Sequence, residues 1–96
     1  MSINVKKREF LSKNSGDLKS VCWEVSMPEV TEEYSYPNMT FKISDGSDVL
    51  YFEVWGKTKK ELNDSLGELV ALRDHLDDFI ELIKDNQVDI LKAYVN

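Results

Sequence analysis

"VLYFEVWGKTKKELNDSLGEL", residues 49–69, contains the point at which the hydrophobic period of this chain changes. Before Gly56 almost every side chain is apolar, which is typical of a strand buried on both faces. After Gly56, Thr58 and Glu61 match a capping box, in which a threonine oxygen and a glutamate carboxylate accept hydrogen bonds from the first amides of a helix. The stretch therefore predicts a strand that ends near Gly56 and a helix that begins near Thr58.

The predicted helix extends to the end of the chain. Its apolar side chains recur three or four residues apart and cover about 140° of the circumference. They are Leu62, Leu66, Leu69, Leu76, Phe79, Ile80, Ile83, Ile90, Leu91 and Tyr94. The polar sequence DNQ (85–87) is a point where this helix can kink or where a separate final helix can begin.

Upstream of residue 49, three stretches show the two-residue alternation of β-strands, which Phe10 and Leu11 interrupt in the first of them. They are residues 3–11, 18–27 and 39–44. The Asp45-Gly46 pair supplies a tight hairpin turn, because glycine accepts a positive φ at little cost. We therefore predict an α+β fold in one domain, residues 1–96. An antiparallel meander of three or four strands (1–56) is followed by a long amphipathic helix (58–95) that covers the sheet, a ββββα layout.

Composition limits the classes of protein. Ninety-six residues with a 42% hydrophobic fraction make one small domain with enough apolar surface for a core. Cys22 is the only cysteine, so an intramolecular disulfide and a four-cysteine zinc site are excluded. The sequence has no apolar run of membrane-spanning length and no signal-peptide pattern, so we expect a cytoplasmic protein.

Residues that carry chemistry in other proteins are isolated here. His75 stands beside Asp74 without a partner motif, and Cys22 alternates with core residues on a predicted strand. The four glycines are scattered, so no phosphate-binding loop is present. The carboxylates near His75 lie on a regular helix, which lacks the bent loop of calcium sites. We expect no enzyme activity, no cofactor and no metal site.

Charge is distributed unevenly. Residues 1–28 carry five Lys or Arg against three Asp or Glu, whereas residues 61–89 carry two against nine. Such an acidic segment repels nucleic acid and anionic lipid and attracts basic proteins. The candidate partner-binding carboxylates of this segment are Asp64, Glu68, Asp74, Asp77, Asp78, Glu81, Asp85 and Asp89, which we expect opposite the apolar stripe.

In size, charge pattern and layout the chain resembles the small acidic DNA-mimic inhibitors encoded by phages, which block basic host nucleic-acid-binding proteins. The resemblance implies a non-enzymatic inhibitor whose carboxylates imitate DNA phosphates and occupy the basic surface of a DNA-binding protein. Such a partner is a histone-like nucleoid protein or a nuclease complex. Two alternatives remain open: a toxin-neutralising immunity protein that plugs a basic active site, and an assembly or secretion chaperone.

Aromatic residues indicate further contact surfaces. The loop after residue 28 places Glu32 and Glu33 beside Tyr34 and Tyr36, and tyrosine is enriched at binding hot spots. These four residues are therefore candidates for partner binding, although the tyrosines can equally close one end of the core. Tyr51 and Trp55 share one face of the last strand. A sheet that is apolar on both faces predicts a homodimer through this face or through the helix stripe.

Overall fold

The computed structural model describes residues 3–27 and 36–94. In these residues four strands are formed, β1 (Asn4–Phe10), β2 (Ser20–Ser26), β3 (Asn38–Ser44) and β4 (Val49–Glu53). They are followed by three helices, α1 (Lys59–Ser65), α2 (Gly67–Asp85) and α3 (Gln87–Ala93). The predicted α+β layout, with a meander before a helical segment, is confirmed. None of the helices in the described ranges is long and apolar enough to cross a membrane.

The four strands form an antiparallel sheet in the order β1-β2-β3-β4. The turn between β3 and β4 is the Asp-Gly turn that the sequence predicts, with Gly46 at a φ of 102°. The Asp45 carboxylate accepts hydrogen bonds of 2.8 Å from the N–H groups of Ser47 and Asp48. These bonds, that from Asp48 foremost, hold the pKa of Asp45 below its usual range, because they stabilise the charged carboxylate.

One face of the sheet, here called the apolar face, carries most of the hydrophobic side chains. Opposite residues in an antiparallel register share a face, so the row Lys7, Trp23, Phe41 and Phe52 crosses all four strands. Phe41 and Phe52 meet edge to face, with ring centroids 6.5 Å apart. The other hydrophobic members are Val5, Val21, Val25, Met39, Ile43 and Leu50. This face is therefore the hydrophobic layer of the sheet.

The other face of the sheet, here called the polar face, differs from the prediction. Tyr51 lies on it as expected, but the register places it in a row with Lys42, Cys22 and Arg8. The Lys42 ammonium lies 5.5 Å from the centre of the Tyr51 ring, a distance suited to a cation–π contact. The sheet is thus apolar on one face only. The prediction of a sheet that is apolar on both faces is wrong. It rested on β4 alone, whereas β1 and β3 contribute Arg8 and Lys42 to the Tyr51 face.

The helical segment begins where the capping box predicts. The Thr58 side-chain oxygen accepts a hydrogen bond of 3.1 Å from the N–H of Glu61, and the Glu61 carboxylate accepts one of 3.0 Å from the N–H of Lys57. The glutamate thus reaches one residue further back than in the usual motif, where the N-cap amide is the donor. These bonds satisfy amides that have no partner within the helix.

The helical segment is interrupted twice. The break at Asn86 lies inside the predicted 85–87 interval, and the Asn86 side-chain amide donates a hydrogen bond of 2.8 Å to the carbonyl of Leu82. The break at Leu66 was not predicted. It lies between Gly67, a poor helix former, and Ser65, whose hydroxyl accepts a hydrogen bond of 2.8 Å from the backbone of Trp55. One continuous helix is therefore replaced by three.

The chain divides into two units at the break at Leu66. The units are Met1–Ser65 and Leu66–Asn96. The sheet and α1 belong to the first unit, and α2 and α3 belong to the second. The predicted packing of the helix over the sheet stays a prediction, as does the single-domain organisation.

Candidate partner-binding surface

Five of the predicted carboxylates lie together on α2. Successive helix residues turn by about 100°, so Asp74, Asp78, Glu81 and Asp85 fall within about 60° of arc. Asp77 extends this set to about 100°. All five side chains are exposed. We call these five residues the acidic arc.

The acidic arc contains no cation, because the two basic residues of α2 stand elsewhere on its circumference. Arg73 and Lys84 lie between the arc and the apolar stripe, about 40° or less from Asp77. Arg73 reaches its sequence neighbour Asp74, with a nitrogen–oxygen distance of 3.3 Å. Both side chains of this pair are more than half exposed, so solvent screens the attraction and leaves most of the negative field in place.

The remaining three helical candidates lie apart from the acidic arc. Glu68 was predicted opposite the apolar stripe, but its position on α2 is about 20° from Phe79, at the edge of the stripe. Asp64 belongs to α1, where it forms an ion pair of 2.9 Å with Lys60 one turn earlier. Asp89 belongs to α3, beyond the break at Asn86. The prediction of one acidic face on an unbroken helix is therefore wrong for Glu68.

Of the tyrosine-loop candidates, the structure describes Tyr36 alone. Tyr36 is 66% exposed. Glu32, Glu33 and Tyr34 lie outside the described residues.

The two residues considered for catalysis occupy ordinary positions. His75 is exposed on α2, and Cys22 is half-buried on the polar face between Arg8 and Lys42. Within residues 3–27 and 36–94, no three His, Cys, Asp or Glu side chains form a group that could hold a metal ion.

The sequence reasoning missed the cations of the polar face. Arg8 and Lys42 line a shallow depression of about 250 Å³ with Ser20, Ser44 and Tyr51. The alternation of β1 and β3 places each cation on a known face of its own strand, but only the pairing register shows that the two faces coincide. To predict this row, one would need the pairing register of β1 with β2 and of β2 with β3, which the connecting loops help to set.

Comparison with known proteins returns no match: no family model, no curated protein and no solved structure shows significant similarity to this chain.

Proposed function

We propose that this chain is a non-enzymatic acidic binding protein that imitates the charge of DNA. In this proposal it is an inhibitor that occupies the basic nucleic-acid-binding surface of a protein such as a histone-like nucleoid protein or a nuclease complex. The observation that carries the proposal is the acidic arc, five exposed carboxylates within about 100° of one helix and without an intervening cation.

The spacing of the acidic arc supports the imitation of DNA. Asp74 and Asp85 are separated by eleven helix positions, about 16 Å along the axis. Five carboxylates over this length give about one charge per 4 Å, close to the 3.4 Å between phosphates along one DNA strand. A basic groove that neutralises successive phosphates can therefore meet a similar row of negative charges on α2.

The acidic arc lowers the stability of helix α2, and this loss also supports a role in binding. Asp74 and Asp78, Asp77 and Glu81, and Glu81 and Asp85 each stand four residues apart on the same helix. Each such like-charge pair destabilises a helix by roughly 0.2–0.5 kcal/mol. An arrangement that lowers the stability of α2 without a structural benefit is expected where the electric field itself attracts a partner.

The direct test is competition with DNA. A labelled DNA duplex bound to a purified histone-like nucleoid protein is titrated with this chain, and fluorescence anisotropy reports the fraction of DNA that remains bound. We expect the chain to displace the duplex, and we expect its affinity for the nucleoid protein to fall as salt is raised from about 50 to 200 mM, because added ions screen the attraction. A ternary complex with DNA, or an affinity independent of salt, would contradict the proposal.

A chaperone for assembly or secretion is the second candidate, and exposed aromatic side chains favour it. Tyr36, Tyr51 and Trp55 are 66%, 57% and 56% exposed, more than aromatic residues that only fill a core. Binding of this kind depends on apolar burial, so it is insensitive to moderate salt and is lost in Tyr36→Ala or Trp55→Ala. An immunity protein would instead inhibit one cognate toxin and leave the nucleoid protein bound to DNA.

A further inference from the structure

The apolar stripe of α2 has a seven-residue repeat. Leu69, Leu76 and Ile83 are seven residues apart, and Leu72 and Phe79 stand three residues after the first two. This alternation of three and four residues is the pattern with which one helix packs along another in a coiled coil. We call these five residues the seam.

Three of the five seam residues are exposed, whereas Leu69 and Leu72 are half-buried. Phe79, Leu76 and Ile83 are 65%, 50% and 42% exposed, and the adjacent Ile80 is 46% exposed. Large apolar side chains that are contiguous on one helix mark a contact surface, since their burial against a partner removes unfavourable contact with water.

The charges that flank the seam indicate which partner fits. Glu68 precedes Leu69 on one side of the seam, and Arg73 follows Leu72 on the other. In two parallel helices in register, the residue that precedes Leu69 or Leu76 on one helix lies opposite the residue five positions later on the other helix. Glu68 and Arg73 are five residues apart, so a second copy of α2 offers an opposite charge to each of them.

The antiparallel arrangement offers no such match. There each flanking row meets the same row of the second helix, so Arg73 stands near another Arg73 or near Ile80, and Glu68 stands near Leu82. The ion pairs therefore favour a parallel pair over an antiparallel one.

We propose that two copies of this chain associate through α2 as a parallel, in-register helix pair, an alternative to the predicted packing of this apolar stripe over the sheet. The seam of one copy packs on the seam of the other, and Glu68 of each copy pairs with Arg73 of the other. Asp74 and Glu81 then occupy the positions farthest from the contact. A dimer built in this way carries an acidic arc on each of its two outer sides. The dimer goes beyond the proposed function, since it requires no acidic-arc contact with a basic partner.

The test is a charge exchange followed by sedimentation equilibrium of the full chain at about 1–100 µM, a range suited to a short contact. The wild-type protein is expected to approach twice 11.1 kDa. Glu68→Arg or Arg73→Glu alone replaces two attractions per dimer by two repulsions, and each is expected to weaken association about tenfold. The double variant Glu68→Arg/Arg73→Glu is expected to recover wild-type association to within about threefold.

A matched pair of variants locates the contact. Phe79→Asp is expected to abolish dimerisation, whereas Leu50→Asp, a similarly exposed position on the sheet, is expected to leave it unchanged. Circular dichroism checks that both variants keep their secondary structure, which their exposure allows. A monomeric wild-type protein, a Phe79→Asp protein that still dimerises, or a double variant as weak as the single ones would each overturn the proposal. None of these measurements involves a basic partner, so a failure here leaves the DNA-competition result unaffected.

Discussion

The four strands and helix α2 carry similar numbers of charged side chains but arrange them differently. The strands hold four cations and three carboxylates, and cross-strand neighbours such as Lys6 and Glu24 have opposite signs. Helix α2 holds two cations and six carboxylates, five of them in the acidic arc. Charges on the sheet partly neutralise one another, whereas charges on α2 reinforce one another. Local arrangement, and not net charge, therefore distinguishes the surface proposed to bind a partner.

The largest expected effect comes from reversing charges in the two regions separately. Asp78→Lys/Glu81→Lys/Asp85→Lys and Glu9→Lys/Asp48→Lys/Glu53→Lys change the net charge by the same amount, and all six positions are exposed. We expect the α2 set to weaken binding to a histone-like nucleoid protein by about a thousandfold, or about 4 kcal/mol, because it removes the row of charges. We expect the sheet set to weaken it by less than about tenfold. Anisotropy titrations measure both, and equal losses would mean that only bulk charge matters.

Gly56 and Gly67 lie in different units, and alanine substitutions at the two positions are expected to change stability in opposite directions. A Cβ at Gly56 would overlap the backbone nitrogen of Leu62 and lie 2.7 Å from the carbonyl carbon of Glu61, whereas a Cβ at Gly67 meets no atom within 4 Å. We expect Gly56→Ala to lower the free energy of unfolding by about 2–3 kcal/mol, because the backbone must move. We expect Gly67→Ala to raise it by about 0.5–1 kcal/mol through improved helix propensity. Urea denaturation checks both signs, and a neutral Gly56→Ala would refute the close approach of Gly56 to the backbone of α1.

A single reversal tests the strain within the acidic arc. Glu81 lies about one turn from Asp77, Asp78 and Asp85 and from Lys84, so Glu81→Lys converts three repulsions into attractions and one attraction into a repulsion. We expect the free energy of unfolding to rise by about 0.5–1 kcal/mol at low salt, and the gain to shrink as salt is added. The matched control, Glu53→Lys on the sheet, should change stability by less than about 0.5 kcal/mol. A loss of stability in Glu81→Lys would show that the acidic arc is not strained.

The smallest expected effect concerns the turn of the sheet unit. Hydrogen bonds from the N–H groups of Asp48 and Ser47 lower the pKa of Asp45 in the folded state. A lowered pKa contributes stability that is fully present above the unfolded pKa and is lost as the pH falls through the folded value. We therefore expect Asp45→Asn to be less stable than the wild type at neutral pH and to approach it in strong acid. Urea denaturation across this range checks the sign, and a constant difference would contradict it.

Local patterns predicted the elements of this fold well, since each depends on nearby residues. Alternation placed β2 and β3 to within two residues, and the capping box placed the helix start near Thr58, one residue from the observed start of α1 at Lys59. The break at Leu66 was not predictable, because the hydrogen bond from Trp55 to Ser65 joins residues ten positions apart. The polar face required the register of all four strands. The position of Glu68, in contrast, follows from a count of 100° per residue, which places it about 20° from Phe79 and not opposite the stripe.

The order of strands in the sheet has a consequence for how the protein behaves when concentrated. An open meander leaves two edge strands, and an edge strand is a template for pairing with another chain. Strand β1 carries Lys6, Lys7 and Arg8, and charged side chains of this kind deter strand addition. Strand β4 carries Val49, Leu50 and Tyr51, each more than 40% exposed, with Glu53 as its one charge. Aggregation is therefore expected to start at β4, and a charge placed on that strand is the substitution that would suppress it.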